Sequence, residues 1–287
     1  MSDTRSPSGC CESDCCPDSA TPPATEVLDA TDVRTTVREK YGAIAEGEKP
    51  GCCVGGCCSG TTEVLDAIGY TAEQMAAIPA DTNLGLGCGS PLAFAEVKPG
   101  DTVLDLGSGA GIDCFLASRA TGSAGSVIGV DMTPAMIEKA RANAAKHGFV
   151  NVEFRLGEIE HLPVADASVD LIISNCVVNL SPDKPRVFHE AHRVLRPGGH
   201  LMVSDLVLLR PLTPEMQKSV DLYVGCVAGA SLREEYLEQL RQAGFAAVEV
   251  VKENRYEVGV SELPPDSPER AAFDSVVSIT VQARKSA

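Results

Sequence analysis

From residue 101 onward, short apolar runs alternate with stretches of helical periodicity. TVLDLG (102–107), SVIGVD (126–131), NVEFRL (151–156), VDLIIS (169–174) and HLMVSD (200–205) each read as a buried strand. Between them lies PAMIEKARANAAKHG, with Pro134 in its first turn and Gly148 at its end, and SPDKPRVFHEAHRVLRPGG, which Pro197 and the following glycine pair are expected to stop. Strands alternating with helices predict crossover units and a parallel sheet covered on both faces. AAVEVVKE (246–253) and VVSITVQAR (276–284), separated by the proline-rich SELPPDSPE, would close that sheet as an antiparallel pair. The expected fold class is α/β: a doubly wound, mostly parallel, seven-stranded sheet with a helical N-terminal segment and a C-terminal extension.

Upstream the pattern differs. Val33, Val37 and Tyr41 repeat at i, i+4, i+8 and predict a short amphipathic helix over 33–45. TAEQ at Thr71 has the form of a capping box, so a second helix should start there and end at Pro79. Residues 1–25 have almost no large apolar side chains and are expected to be disordered alone. The chain therefore divides into that cysteine-containing tail (1–25), a helical and cysteine-loop segment (26–99), a core (100–210) and a C-terminal region (211–287) that binds substrate and closes the sheet.

At 287 residues and 44% hydrophobic content the chain can bury a full core. The formal charge of −16 disfavours nucleic acid and anionic membrane surfaces as partners. No apolar run reaches the ~18 residues of a membrane span, and the N-terminus has no signal-type stretch. A cytoplasmic monomer with reduced thiols is expected, which removes most support for a disulfide framework.

Function in a doubly wound sheet sits at the carboxyl ends of its strands. The first ends in DLGSGAG, where Gly107, Gly109 and Gly111 open the next helix. The second ends in Asp131, twenty residues past Gly111, a spacing at which an acid can accept both ribose hydroxyls. Nicotinamide-dinucleotide sites share that combination. Here, however, the pattern is GxGxG, and no basic residues stand where a pyrophosphate would lie.

VLDLGSGAG, GVDMTPAMIEKAR, LGEIEHLPV, VDLIISN and HRVLRPGG follow in order the motifs of class I S-adenosylmethionine-dependent methyltransferases, which the region 100–206 resembles. The resemblance implies that Asp105 and Gly107 line the methionine end of the cofactor. It implies that Asp131 holds the ribose, that Met132 packs on the adenine, that Glu158 and Ile159 flank the adenine edge, and that Asn175 closes the site.

The substrate question turns on twelve cysteines. CC-x-x-x-CC occurs twice, at 10–16 and 52–58, and single cysteines stand at 88, 114, 176 and 226. Cys114, inside a helix, reads as a small core residue. Cys88 in GLGCGSP, Cys176 in SNCVVNL and Cys226 in VGCVAGA all fall in turns near the same sheet edge. An oxygen or nitrogen methyltransferase needs a base or polar clamp there, whereas this chain offers thiols. Over about residues 50–235 it resembles the arsenite S-adenosylmethionine methyltransferases. That implies As(III) bound by Cys88, Cys176 and Cys226, with a fourth thiol from the 52–58 pairs. Cys57 or Cys58 is favoured over Cys52 and Cys53, but spacing does not decide. As(III) is soft and suits thiolates, and its lone pair needs no base to become a nucleophile.

Methylation oxidises arsenic, so neighbouring thiols would return electrons by closing a disulfide that a thiol reductant, thioredoxin or glutathione, reopens. For Cys10, Cys11, Cys15 and Cys16 an accessory metalloid trap, a zinc site and no function all stay open. Leu86 stands where the family commonly has tyrosine, and no aromatic follows Cys226 until Tyr236. Two other readings compete: a quinone- or sterol-type C/O-methyltransferase, and a thiol-rich metalloid-sequestering protein. Trivalent antimony would suit the same thiols.

Overall fold

A computed structural model describes residues 30–47, 69–79, 82–84, 86, 88–217, 223, 225–255, 270 and 274–287. The 1–25 tail and both CC-x-x-x-CC clusters lie outside the described residues. Helix α1 covers Ala30–Glu46, and α2 covers Ala72–Ala77 behind the Thr71 capping box, in which Thr71 and Gln74 bond reciprocally. The strands are β1 (Thr102–Leu106), β2 (Ser126–Asp131), β3 (Val152–Leu156), β4 (Val169–Asn175), β5 (Leu195–Leu208), β6 (Ala247–Arg255) and β7 (Val276–Arg284). Helices α3 (Ile112–Thr121), α4 (Pro134–His147), α5 (Lys184–Val194), the short α6 (Pro214–Gln217) and α7 (Arg233–Gln242) complete the order.

The seven strands form one sheet in the order β3-β2-β1-β4-β5-β7-β6, parallel from β1 to β5, with β7 antiparallel to both its neighbours. Strands β1 and β4 have no exposed residue, as a strand covered by helices on both faces must. Two apolar cores flank the sheet. One packs α5 and α7 against β4 and β5 through Phe188, Leu195, Tyr236 and Leu240; the other packs α3 and α4 against β1 and β2 through Phe115, Ile137 and Phe154. Because β7 pairs with β5 from Val276 to Arg284, the core and the C-terminal region share this one sheet.

One boundary departs from the sequence reading. Helix α5 does stop, but at Val194, and β5 begins at Leu195 rather than at 200. Pro197 and the glycine pair lie inside the strand. The β4–β5 register slips there, from Val169↔Leu195 to Leu171↔His200. The extra β5 residues bulge at the sheet margin, where a proline's missing N–H breaks no ladder bond.

Candidate active site

Strand order reverses between β1 and β4, and the carboxyl ends of these two strands open a cleft that encloses about 1070 Å³ when the open solvent at its mouth is counted. Asp105, Gly107, Gly109, Asp131, Met132, Ile159 and Asn175 line it, all seven expected from the sequence. Gly107 has φ 71°, and a Cβ there would collide with Val177 at the turn after β4. Glycine thus lets the β1 turn close against the β4 turn. Gly111 does not line the cleft; it starts α3 in a left-handed conformation packed on Phe115 and Phe154.

Asp131, at the end of β2, already holds two backbone groups. Its Oδ2 accepts the Gly109 N–H at 3.0 Å and its Oδ1 the Thr133 N–H at 2.8 Å. Burial raises its pKa, and these N–H groups counter that. Each carboxylate oxygen keeps further lone-pair capacity. Glu158 is differently placed than expected: its carboxylate turns to Arg34 (3.7 Å) and Arg38 (3.6 Å) on α1 and does not line the cleft. Its second neighbour Glu160 does. Glu160 is 4% exposed and accepts from Arg34 at 3.2 Å and from Ser181 at 2.6 Å. Arg34, Val37 and Tyr41 extend α1 along the cleft, and Leu86 lines it where the family's tyrosine was expected.

Two buried acids face the same end. Burial raises Asp105 well above the ordinary carboxylate range, helped by the neighbouring Asp113 and opposed by the Cys114 thiol that donates to it at 3.2 Å. Burial pushes Asp113 up to about 6, against hydrogen bonds from Tyr70 and Asn175. Cys114 is fully buried, as expected of a core residue. A cleft walled by Asp105, Asp113, Asp131 and Glu160 suits a cationic ligand, whose charge would hold the buried acids ionised. The Ser108 hydroxyl, buried there without a partner, offers one further group to it. The residues present therefore fit S-adenosylmethionine, whose sulfonium and amino groups are cationic and whose ribose needs an acid.

Beside the cleft the three turn cysteines meet. The Cys176 thiol neighbours those of Cys88 and Cys226, and Cys226 Sγ donates to the Cys176 carbonyl oxygen at 2.9 Å. They sit in a small apolar cluster with Val37, Leu180, Leu206, Val227 and Val276. Cys176 has φ 60° and Cys226 φ 64°, two of only four non-glycine residues with positive φ among those described. Left-handed cysteines carry strain of order 1–3 kcal/mol each, so the turns hold these thiols inward against backbone preference. Gly229 lets the Cys226 turn rest on the Asn179 carbonyl, where any Cβ would collide.

Burial pushes the Cys88 thiol up to about 11. For Cys176 the neighbouring Cys226 thiol lowers the value, but the Cys88 thiol and burial together carry it well up. The neighbouring Cys176 thiol and burial raise Cys226. At neutral pH all three are thiols. A divalent cation would have to expel their protons, whereas As(OH)3 releases hydroxyl groups that take those protons away as water.

Asp205, which the sequence reading counted only as the end of a strand, completes the wall. A carboxylate oxygen and the sulfurs of Cys88 and Cys176 lie within 4.8 Å of one another. Its own bonds are to Asn179 Nδ2 (2.7 Å), the Leu206 N–H (2.9 Å) and the Tyr236 hydroxyl (3.2 Å). Burial raises it to about 7, and Lys184 opposes that rise. Tyr236 thus supports the thiol pocket from behind, with its ring edge-on to Phe188.

A methyltransferase domain family matches residues 97–244, which span this cleft. With a seven-stranded sheet carrying an acid-lined cleft at the β1–β4 switch, the chain is a class I S-adenosylmethionine-dependent methyltransferase. Within that class it belongs to the arsenite methyltransferases. An arsenite methyltransferase of Halobacterium salinarum is 49% identical over 270 residues, covering 90% of this chain and 68% of that protein. The human arsenite methyltransferase is 38% identical over 186 residues, 62% of this chain. The chain spans about half the length of that relative (49%). The crystal structure of an arsenic(III) S-adenosylmethionine methyltransferase from Chlamydomonas reinhardtii superposes with a TM-score of 0.61 at 33% identity, covering 78% of this chain and 73% of the other.

Proposed function

We propose that the protein methylates arsenite held by Cys88, Cys176 and Cys226. The observation that carries this is the gathering of three neutral thiols beside an acid-lined cleft, Cys88 and Cys226 buried and Cys176 half-buried at the cleft wall, with Cys176 and Cys226 held in strained turns. Exchange is balanced without base: three S–H and three As–OH become three As–S bonds and three waters. The pyramidal product keeps its lone pair. Asp105 and Asp113 receive the cation of the cofactor, Asp131 the ribose, and Met132 and Ile159 the flat faces of the base. S-adenosylmethionine supplies an electrophilic methyl group that accepts the arsenic lone pair, and S-adenosylhomocysteine is the by-product. The apolar cluster around the thiols excludes water, so placement is the protein's main contribution, worth roughly 7–11 kcal/mol in favourable cases.

Taking up a methyl cation oxidises arsenic by two electrons. One of the Cys52, Cys53, Cys57 and Cys58 pairs gives the fourth arsenic-binding thiol, with Cys57 or Cys58 first, and neighbouring thiols supply those electrons as two of them close into one disulfide and release two protons. A thiol reductant of the thioredoxin or glutathione kind reopens it. The protein acts as a cytoplasmic monomer, with the sheet-bearing core binding cofactor and contributing Cys176, and the N-terminal and C-terminal regions contributing Cys88 and Cys226 to the arsenic site. Among the described residues no helix is long and apolar enough to cross a membrane.

X-ray absorption at the arsenic edge tests the ligand set. With one equivalent of arsenite the full chain is expected to show three sulfur neighbours. A Cys88→Ser, Cys226→Ser double variant should exchange sulfur for oxygen. Three sulfurs surviving in that variant would move the substrate site elsewhere.

A further inference from the structure

Tyr70 lies outside every motif that located the site, yet its hydroxyl bonds to two residues that line the cleft, Asp113 and Asn175. The ring is 2% exposed and packs with Ile78, Leu116, Met75 and Ile112. The hydroxyl donates to Asp113 Oδ1 at 2.8 Å. Its single proton being spent on a carboxylate, the oxygen acts only as acceptor toward Asn175, whose Nδ2 stands 3.1 Å away. The same amide nitrogen donates to the Gly89 carbonyl at 2.7 Å. Asn175 Oδ1 therefore faces Cys88, accepting its N–H at 3.1 Å, with Sγ at 3.9 Å. Turning the amide over would set NH2 against the Cys88 N–H and leave both Tyr70 and Gly89 without a donor. One directed chain of hydrogen bonds thus runs from Asp113 in the cofactor cleft to Cys88 among the thiols.

We propose that Tyr70 is a positioning residue that makes cofactor binding and As(III) binding favour each other, through the Asp113–Tyr70–Asn175–Cys88 chain; this rests on the reading of the thiol site given above. A cation beside Asp113 fixes that carboxylate, hence the Tyr70 proton, hence the face that Asn175 shows to Cys88. Arsenic on Cys88 fixes the same chain from its other end. Whichever ligand arrives second meets a network already ordered, and linkage makes the effect equal in both directions.

The test uses S-adenosylhomocysteine and arsenite, a pair that cannot react, with calorimetry on the full chain. In the wild type, saturating arsenite is expected to tighten S-adenosylhomocysteine binding roughly five-fold or more, and the nucleoside to tighten arsenite by the same factor. Tyr70→Phe keeps the ring in its apolar cluster and removes only the oxygen. Its coupling factor should fall toward one while arsenite alone binds as in the wild type. A role confined to packing would weaken each ligand and leave the factor unchanged, and that result overturns the proposal, as does a wild type with no coupling. Should Tyr70→Phe fail to fold, the Asn175 side-chain amide resonance of the wild type decides: it should shift with either ligand alone, and indifference to one of them contradicts the chain. Alkylation mapped by mass spectrometry separates this from the reading beneath it. Arsenite that leaves Cys88, Cys176 and Cys226 unprotected overturns both, whereas protection without Tyr70-dependent coupling overturns this proposal alone.

Discussion

Cys176→Ser is expected to remove arsenite methylation while leaving S-adenosylmethionine bound. Cys176 is the middle thiol of the three, with Cys88 and Cys226 as its neighbours, and it lines the cofactor cleft itself. Its neighbour Asn175 lines the cofactor cleft, so this sulfur is the one that ties arsenic to the face from which the methyl group comes. Serine matches the size but not the softness of the ligand. Arsenic left on Cys88 and Cys226 would be two-coordinate through sulfur and displaced from its line of attack, and a displacement of ~1 Å already lowers a rate by about 10²-fold. The measurement is turnover of arsenite alongside a calorimetric Kd for the cofactor. A fall of two orders of magnitude or more at constant cofactor Kd is expected. Turnover near the wild-type rate would mean that this thiol does not hold the substrate.

The second large effect falls on the other half of the site. Asp131→Ala should weaken S-adenosylmethionine and S-adenosylhomocysteine alike by about a hundredfold. Two charge-assisted hydrogen bonds to a ribose contribute roughly 3 kcal/mol together, and every ~1.4 kcal/mol is tenfold in Kd. The substitution also strips the acceptor from the Gly109 and Thr133 N–H groups, which loosens the β1 turn against the β2 end. Arsenite binding, resting on other elements, should be unaffected. A cofactor Kd within a few-fold of wild type would show that the ribose is held elsewhere.

Much of this was legible before any coordinates. All seven strands follow from apolar runs bounded by turn residues, and the Thr71 capping box forms as its spacing requires. The site's two halves were legible for different reasons. Gly107 and Asp131 occupy strand ends, which topology sends to one edge. Cys88, Cys176 and Cys226 stand in turns whose positions put them near that edge, but only the resemblance joined them into one ligand set.

What escaped was set by distance and direction rather than composition. Glu158 and Glu160 lie in a loop without period, so nothing in GEIEH says which carboxylate faces the cleft; Arg38 draws Glu158 outward while Arg34 and Ser181 hold Glu160. Pro197 normally ends an element, and here the β5 margin absorbs it in a bulge. Asp205 ends its run as Asp131 does, but its role depends on Tyr236 and Asn179, donors from two other elements. Tyr70 reaches Asn175 across 105 positions, a contact no local pattern carries. The left-handed φ of Cys176 and Cys226 has no sequence signature either, because glycine is the residue that usually announces it.

Incubating the purified chain with arsenite, S-adenosylmethionine and a thiol reductant, then separating arsenic species by mass spectrometry, tests the central claim most directly. Methylated arsenic accumulating in step with S-adenosylhomocysteine is the expected result. Arsenite bound tightly with no methylated product would contradict it and leave a metalloid-sequestering protein on a methyltransferase fold.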